Sequence, residues 1–229
     1  QAAEASEGTF LVQDEGSQLV ALYADASGAA RVLDVCAAPG GKTVAMAESA
    51  GPRAVVVAGD VRRRRLRLLR DTVRAAQAAS VRVIAHDAAG GLPYRDLFDL
   101  VLVDAPCSGL GTLRRDPDVK WARKEDDVRE FARRQRSLLA EAARVVAPGG
   151  RLVYATCSSE DDENAAVASW FAASHPAFRR APPAPRWLEP PLRELLDPDG
   201  SLQTSPERHG LDLFYAAAST CWAAYTLMV

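Results

Sequence analysis

Two cysteines stand where a thiol could act on a substrate. One lies in Asp104-Ala105-Pro106-Cys107-Ser108-Gly109, the other in Thr156-Cys157-Ser158. Each motif follows an aliphatic run, Phe98 to Val103 and Arg151 to Ala155, that reads as a strand. Each thiol is therefore set at a strand end, where loops carry chemistry. An unperturbed thiol is only a few per cent thiolate near neutral pH, so a nucleophilic role requires surroundings that favour the anion. Cys36, inside another strand-like run, and Cys221, near the terminus, have no such setting and read as core residues.

A third stretch supplies a ligand cradle. In Arg31-Val32-Leu33-Asp34-Val35-Cys36-Ala37-Ala38-Pro39-Gly40-Gly41-Lys42-Thr43, a buried-strand pattern runs into small residues, two glycines and a helical run through Met46 and Glu48. Glycine admits close backbone approach, and the first helical turn offers free N–H groups. Neither G-x-G-x-x-G nor G-x-x-x-x-G-K-[ST] is present, so a pyrophosphate cradle is disfavoured. Further strands end in acids, at Asp60, at His86-Asp87 and at Asp104. An acid after the second strand can accept from both ribose hydroxyls, and one after the third from an adenine amino group. Small-residue turn and successive acids together point to S-adenosylmethionine, a nucleoside cofactor that carries no phosphate.

A methyl sulfonium gives the thiols a use. Carbon 5 of a pyrimidine is a poor nucleophile, whereas thiolate addition to carbon 6 makes an enamine able to take the methyl group. Either Cys107 or Cys157 could add, since both end strands. The basic residues divide. Arg62 to Arg65, with Arg67, Arg70 and Arg74, share a helix with Leu66, Leu68, Leu69 and Val73 and read as its solvated face. Arg114, Arg115 and Lys120 follow the Cys107 motif and are candidates for nucleic-acid phosphate contact. Trp121 could stack on a base or cover the sheet.

The elements that position these residues follow from periodicity. Phe10 to Tyr23 is expected as a lead-in helix after a loose Gln1 to Gly8. Strands are expected at Ala54–Gly59, Val81–Ala85, Phe98–Val103, Arg151–Ala155 and Leu213–Ala218, and helices at Val61–Ala79, Glu125–Val146 and Asp161–Ala173. Residues 176–206 are Pro-rich and read as irregular. Alternating strands and helices predict an α/β, Rossmann-like, doubly wound and mostly parallel sheet. We expect residues 1–30 as an extension with the lead-in helix and 31–229 as one catalytic domain. With 229 residues, 48% hydrophobic and 25% charged, the chain suits one α/β core. Its net charge of −2 excludes holding nucleic acid by bulk charge, though not through a local basic surface. No membrane span or signal pattern appears, and four cysteines without CxxC spacing fit a reducing cytoplasm rather than a disulfide frame or metal site. A monomer is expected.

The three motifs resemble those of the RsmB/Nop/Sun family of RNA cytosine carbon-5 methyltransferases. Val12-Gln13-Asp14-Glu15, Arg114 to Trp121 and His209-Gly210-Leu211-Asp212 also resemble family stretches, so the likeness runs from about Val12 to Tyr215. It is closest to the bacterial RsmB (Sun/Fmu) branch, whose substrate is small-subunit ribosomal RNA. The resemblance implies the class I methyltransferase fold, Cys157 as nucleophile, and Cys107 as the thiol that helps release methylated RNA. It implies Asp104 at the target base near the donor, and Cys36, Ala37, Ala38, Pro39, Gly40, Gly41, Lys42, Asp60 and Asp87 lining the cofactor. The chain departs from the family at Ala165, where a second acid often stands, and at Leu213, where glycine is usual; Cys221 to Val229 match nothing familiar. Because the chain begins at Gln1, we expect a piece of a longer protein, and the NusB-like RNA-binding domain common in that branch is not among these residues.

Overall fold

In a computed structural model, residues 12–95 and 97–222 are described. The expected loose start, Phe10 and Leu11 of the expected lead-in helix, and the unmatched tail after Trp222 lie outside them; the helix expected from Phe10 begins only at Glu15, where Asp14 caps it by accepting from Ser17 N.

Among the described residues, eight strands form one sheet: β1 (Arg31–Asp34), β2 (Val55–Asp60), β3 (Val81–Ala85), β4 (Phe98–Asp104), β5 (Val146–Thr156), β6 (Phe178–Arg180), β7 (Leu202–Gln203) and β8 (Tyr215–Cys221). The order is β3-β2-β1-β4-β5-β8-β6, with β7 also on β8. The first five strands pair in parallel, while β8 runs antiparallel to β5, β6 and β7. The doubly wound expectation is met, and the order reverses between β1 and β4, where such sheets bind ligands.

Strand side chains alternate between two cores, as a period of two requires. Val32, Val56, Ala58, Leu102, Val153 and Ala216 face one side. There they meet α1 (Glu15–Ala24), α2 (Gly41–Ala50) and α3 (Arg63–Ala75) through Val20, Tyr23, Met46, Leu66 and Leu69. Leu33, Val57, Val101, Leu152 and Ala217 face the other, under α5 (Glu125–Ala143) and α6 (Ala165–Ser174), which contribute Leu138, Leu139, Val167 and Phe171. Two one-turn helices complete the described fold, α4 (Val119–Ala122) and α7 (Pro206–His209).

Several boundaries differ from expectation. The helix expected from Val61 begins at Arg63, because Asp60 Oδ1 accepts from Arg62 N at 2.9 Å and holds that residue extended; it ends before Gln77, whose φ is +53°. The helix expected to reach Val146 stops at Ala143, and β5 starts where Val146 pairs with Phe98. Pro148-Gly149-Gly150 forms an irregularity inside β5, between the pairs Phe98–Val146 and Leu100–Arg151. A short 3-10 turn occupies Asp161–Glu163, so the next helix begins only at Ala165. The irregular reading of 176–206 missed β6 and β7, which exist through their pairing with β8 rather than through a local pattern.

Candidate active site

The two thiols meet at the carboxyl ends of neighbouring strands. Cys107 Sγ and Cys157 Sγ lie 3.3 Å apart, both partly buried, in the loops that follow β4 and β5. Asp104, the last residue of β4, is paired with Lys42 from the first turn of α2, Nζ to Oδ2 at 2.8 Å. The small-residue turn is what brings Lys42 there. Gly40 has φ +115°, a region that side chains avoid, and a Cβ on it would meet Leu69 Cδ1 at 2.8 Å.

The electrostatics separate the thiols. A hydrogen bond from Cys107 lowers the pKa of Cys157; burial and Asp104 oppose it, while Lys42 and Arg115 add to the lowering. The same bond, followed by burial, raises the Cys107 thiol well above its ordinary value. Lys42 stays cationic: burial pulls its pKa down, but the charge and hydrogen bond of Asp104 outweigh that and raise it. Cys36, at the other end of the cradle, is pushed up chiefly by burial and then by Asp34, and so is inert as a nucleophile.

The loops are held by a polar network behind the sulfurs. Thr156 Oγ1 donates to Asn164 Oδ1, and Asn164 Nδ2 donates to Ser158 O at 2.8 Å. Glu163, fully buried, accepts from Ser108 N at 2.9 Å, Ser158 Oγ at 2.6 Å and Gln135 Nε2 at 2.8 Å. Gly111 N donates to Cys157 O, and Leu213 N donates to Gly111 O, each at 3.0 Å, so the segment before β8 joins the same assembly.

The other expected site residues fall as follows. Asp60 is buried at the end of β2. Its Oδ2 lies 3.5 Å from Arg65 Nη1, close enough to feel the charge yet without a hydrogen bond. Arg65 also donates to Ala38 O, tying α3 to the cradle. Asp34, the last residue of β1, accepts from Thr43 Oγ1 at 2.6 Å through one oxygen and leaves the other buried and unpartnered. These two free acceptors at the carboxyl ends of β1 and β2 suit the donors of S-adenosylmethionine, whose ribose hydroxyls and ammonium need acceptors. Asp87 is exposed after β3 and accepts from Ala89 N at 3.1 Å, capping a short turn.

Arg114 and Arg115, expected to reach phosphate, both bond the buried carboxylate of Asp212. Arg114 Nε donates to Oδ1 at 3.0 Å, Arg115 Nε donates to Oδ2, and Arg114 also donates to Gly210 O at 2.8 Å. They remain about half exposed while pinning the loop before β8. Lys120 sits over the ring of Trp121 at 5.5 Å, and that indole is 83% exposed, so it does not cover the sheet. Among the described residues, no group of three or more His, Cys, Asp or Glu side chains could hold a metal ion.

Sequence reasoning passed over two participants. His86 bonds Val35 O at 2.9 Å and Tyr94 Oη at 2.6 Å, and a Cβ on Gly59 would fall 2.1 Å from its ring, so Gly59 makes room for it. Glu163 belongs to the acidic run Glu160 to Glu163, which looks like an exposed helix start; nothing local marks one of four acids as buried.

Comparison with known proteins accounts for this assembly. Residues 21–220 match the model of a family described as 16S rRNA methyltransferase RsmB/F. The chain is 37% identical over 210 residues to a probable ribosomal RNA small subunit methyltransferase B of Bacillus subtilis (strain 168), covering 91% of this chain and 47% of that protein. It is 33% identical over 218 residues to ribosomal RNA small subunit methyltransferase F of Escherichia coli O9:H4 (strain HS), covering 94% and 45%. The solved structure of a protein designated PH0851 superposes with a TM-score of 0.86 at 35% identity, over 95% of this chain and 48% of that one. The chain thus spans about half the length of the curated relatives it matches. Its sheet is the class I, Rossmann-like fold of S-adenosylmethionine-dependent methyltransferases, one of which, from Aquifex aeolicus, shares it at 12% identity with a TM-score of 0.56 over 96% of this chain and 94% of that one. By sequence, fold and motif placement, the chain belongs to the 16S rRNA methyltransferase RsmB/F family.

Proposed function

We propose that this chain is the catalytic part of an S-adenosylmethionine-dependent methyltransferase that forms 5-methylcytosine in small-subunit ribosomal RNA, acting in the cytoplasm. The observation that carries the reading is the contact of Cys107 and Cys157 beside the Lys42–Asp104 pair. Asp34, Asp60, Asp87 and the turn from Cys36 to Lys42 would hold the cofactor, which supplies an electrophilic methyl group on sulfonium sulfur for carbon 5 of the base.

The chain's own groups do the rest. Cys157, held towards thiolate by Cys107, Lys42 and Arg115, adds to carbon 6 of the cytosine and forms a carbon–sulfur bond. Asp104, paired with Lys42, would accept from the base. After carbon 5 is methylated it carries one proton too many. Loss of that proton to solvent, assisted by Cys107, leaves its bonding pair to re-form the ring double bond, which breaks the carbon–sulfur bond and returns Cys157 as thiolate. A cytosine must leave any helix to reach the thiols, so the substrate is a loop or an opened stem.

Trapping tests this. Cys107→Ala should accumulate a covalent RNA adduct that Cys157→Ala does not form. The reverse pattern would exchange the two roles, and absence of both adduct and methyl transfer would remove the reading. Mapping 5-methylcytosine in total RNA separates ribosomal from transfer RNA targets.

A further inference from the structure

One carboxylate in the site has no part in the reaction just described. Glu163 is fully buried, and among the described residues no lysine, arginine or histidine lies within ion-pair distance of it. Neutral donors alone satisfy it, an expensive way to keep a carboxylate inside a protein unless its position serves something. The donors show what that is. Ser108 N and Ser158 Oγ belong to the residues that directly follow Cys107 and Cys157, and Gln135 Nε2 ties Glu163 Oε1 at 2.8 Å and Pro106 O at 3.0 Å to α5. Ser108 Oγ and Ser158 Oγ also touch at 3.0 Å, and Tyr154 Oη donates to the Glu163 carbonyl at 2.5 Å. One side chain therefore holds the residues next to both sulfurs, through the backbone of Ser108 and the hydroxyl of Ser158.

We propose that Glu163 is the positioning residue that holds the two thiols in contact and keeps their shared proton on Cys107, so that Cys157 is the sulfur that attacks. The inference rests on the reaction proposed above. With sulfurs 3.3 Å apart, the singly ionised pair shares one proton, and the charges around the pair decide its place. The groups facing the pair are Lys42 from α2, Asp104 from β4, Arg115 from the following loop, Tyr154 from β5 and Glu163. Lys42 and Arg115 favour a thiolate at Cys157, whereas Asp104 opposes it. Glu163 acts on Cys107, where its negative charge adds to the Cys157 contact and burial in disfavouring a second anion. Protonated Cys107 then donates to Cys157.

The test reads each thiol separately and needs neither RNA nor methyl donor. Alkylation of intact protein by iodoacetamide, followed by peptide mass spectrometry, gives the rate at Cys107 and at Cys157 across pH. In the unmodified protein Cys157 should react at least about tenfold faster than Cys107 near neutral pH. Glu163→Gln should cut that preference several-fold by raising the Cys107 rate, an effect that uniform loosening of the loops would not give, since both rates would then rise together. Should Glu163→Gln fail to fold, Glu163→Asp keeps the charge with a shorter reach: retained preference for Cys157 supports the proposal and equal rates overturn it. An unchanged preference in folded Glu163→Gln also overturns it. If the preference moves as expected while the Cys107→Ala protein traps no RNA, the proton assignment stands and the proposed reaction fails.

Discussion

Gly111 offers a sharp test of how the site is held, because its tolerance is set by two backbone oxygens. A Cβ there would lie 2.6 Å from Leu213 O and 2.8 Å from Cys157 O, and neither oxygen sits on a flexible side chain. Relief requires the Cys157 backbone, the segment before β8, or both to move by several tenths of an ångström. Overpacking of this kind costs about 1–3 kcal/mol. In a chain of this length that lowers Tm by roughly 2–12 °C. Misplacing a reacting group by about 1 Å costs on the order of 100-fold in rate, so a shift of several tenths should cost on the order of tenfold in kcat. Gly109→Ala is the control. It also loses stability, by about 1–2 kcal/mol, because φ is +77°, but its nearest neighbour would be Val119 Cγ1 at 3.8 Å and nothing presses on Cys157. Transfer of labelled methyl to an RNA transcript, measured beside thermal melts, should show Gly111→Ala about tenfold less active than Gly109→Ala at similar Tm. Full activity with unchanged Tm in Gly111→Ala would refute the claim that this glycine seats the Cys157 loop.

Three further outcomes are expected. Arg63→Glu should raise Tm by about 1–4 °C, since α3 has no acid in its first turn and an acid there is worth about 0.5–1 kcal/mol; a lower Tm would count against the dipole account. Burial pushes the Asp34 carboxyl up to about 7, with Thr43 pulling the other way, so between about pH 4 and pH 7 the native protein holds a proton that the unfolded chain has lost. The stability this contributes is complete below about pH 4 and gone as pH rises past 7; Asp34→Asn should therefore flatten urea midpoints across that window, and parallel curves would contradict the assignment. Lys42→Met should shift Cys157 alkylation to higher pH, because one of the cations that lowers this thiol is gone while Asp104 stays; an unmoved profile would mean Lys42 serves only Asp104.

Much of the fold was legible because parallel strands buried on both faces read as aliphatic runs, and those from Val32 to Ala155 do. The strand-end residues Asp60, Asp104, Cys107 and Cys157 were legible for the same reason, being the first chemistry after each run. What escaped depends on partners distant in sequence. Phe178–Arg180 and Leu202–Gln203 are strands only because β8 lies beside them. Arg114 and Arg115 have the composition of phosphate ligands, yet Asp212, nearly a hundred residues away, bonds them. Glu163 looks like one of several surface acids until the two serines close around it. On α3, Arg63, Arg64, Arg67, Arg70 and Arg74 are exposed while Leu66 and Leu69 are buried, as the amphipathic pattern reads.

The clasp of Arg114 and Arg115 on Asp212 bears on when the chemistry becomes available. The sulfurs come from positions fifty residues apart, and their loops are secured by a segment that follows both. A growing chain that has not yet delivered Asp212 and β8 already contains both cysteines but lacks the strand that flanks β5 and the anchor for the loop after Cys107. On the proposed reaction, the arrangement that brings the two sulfurs into use is therefore complete only once β8 has joined the sheet.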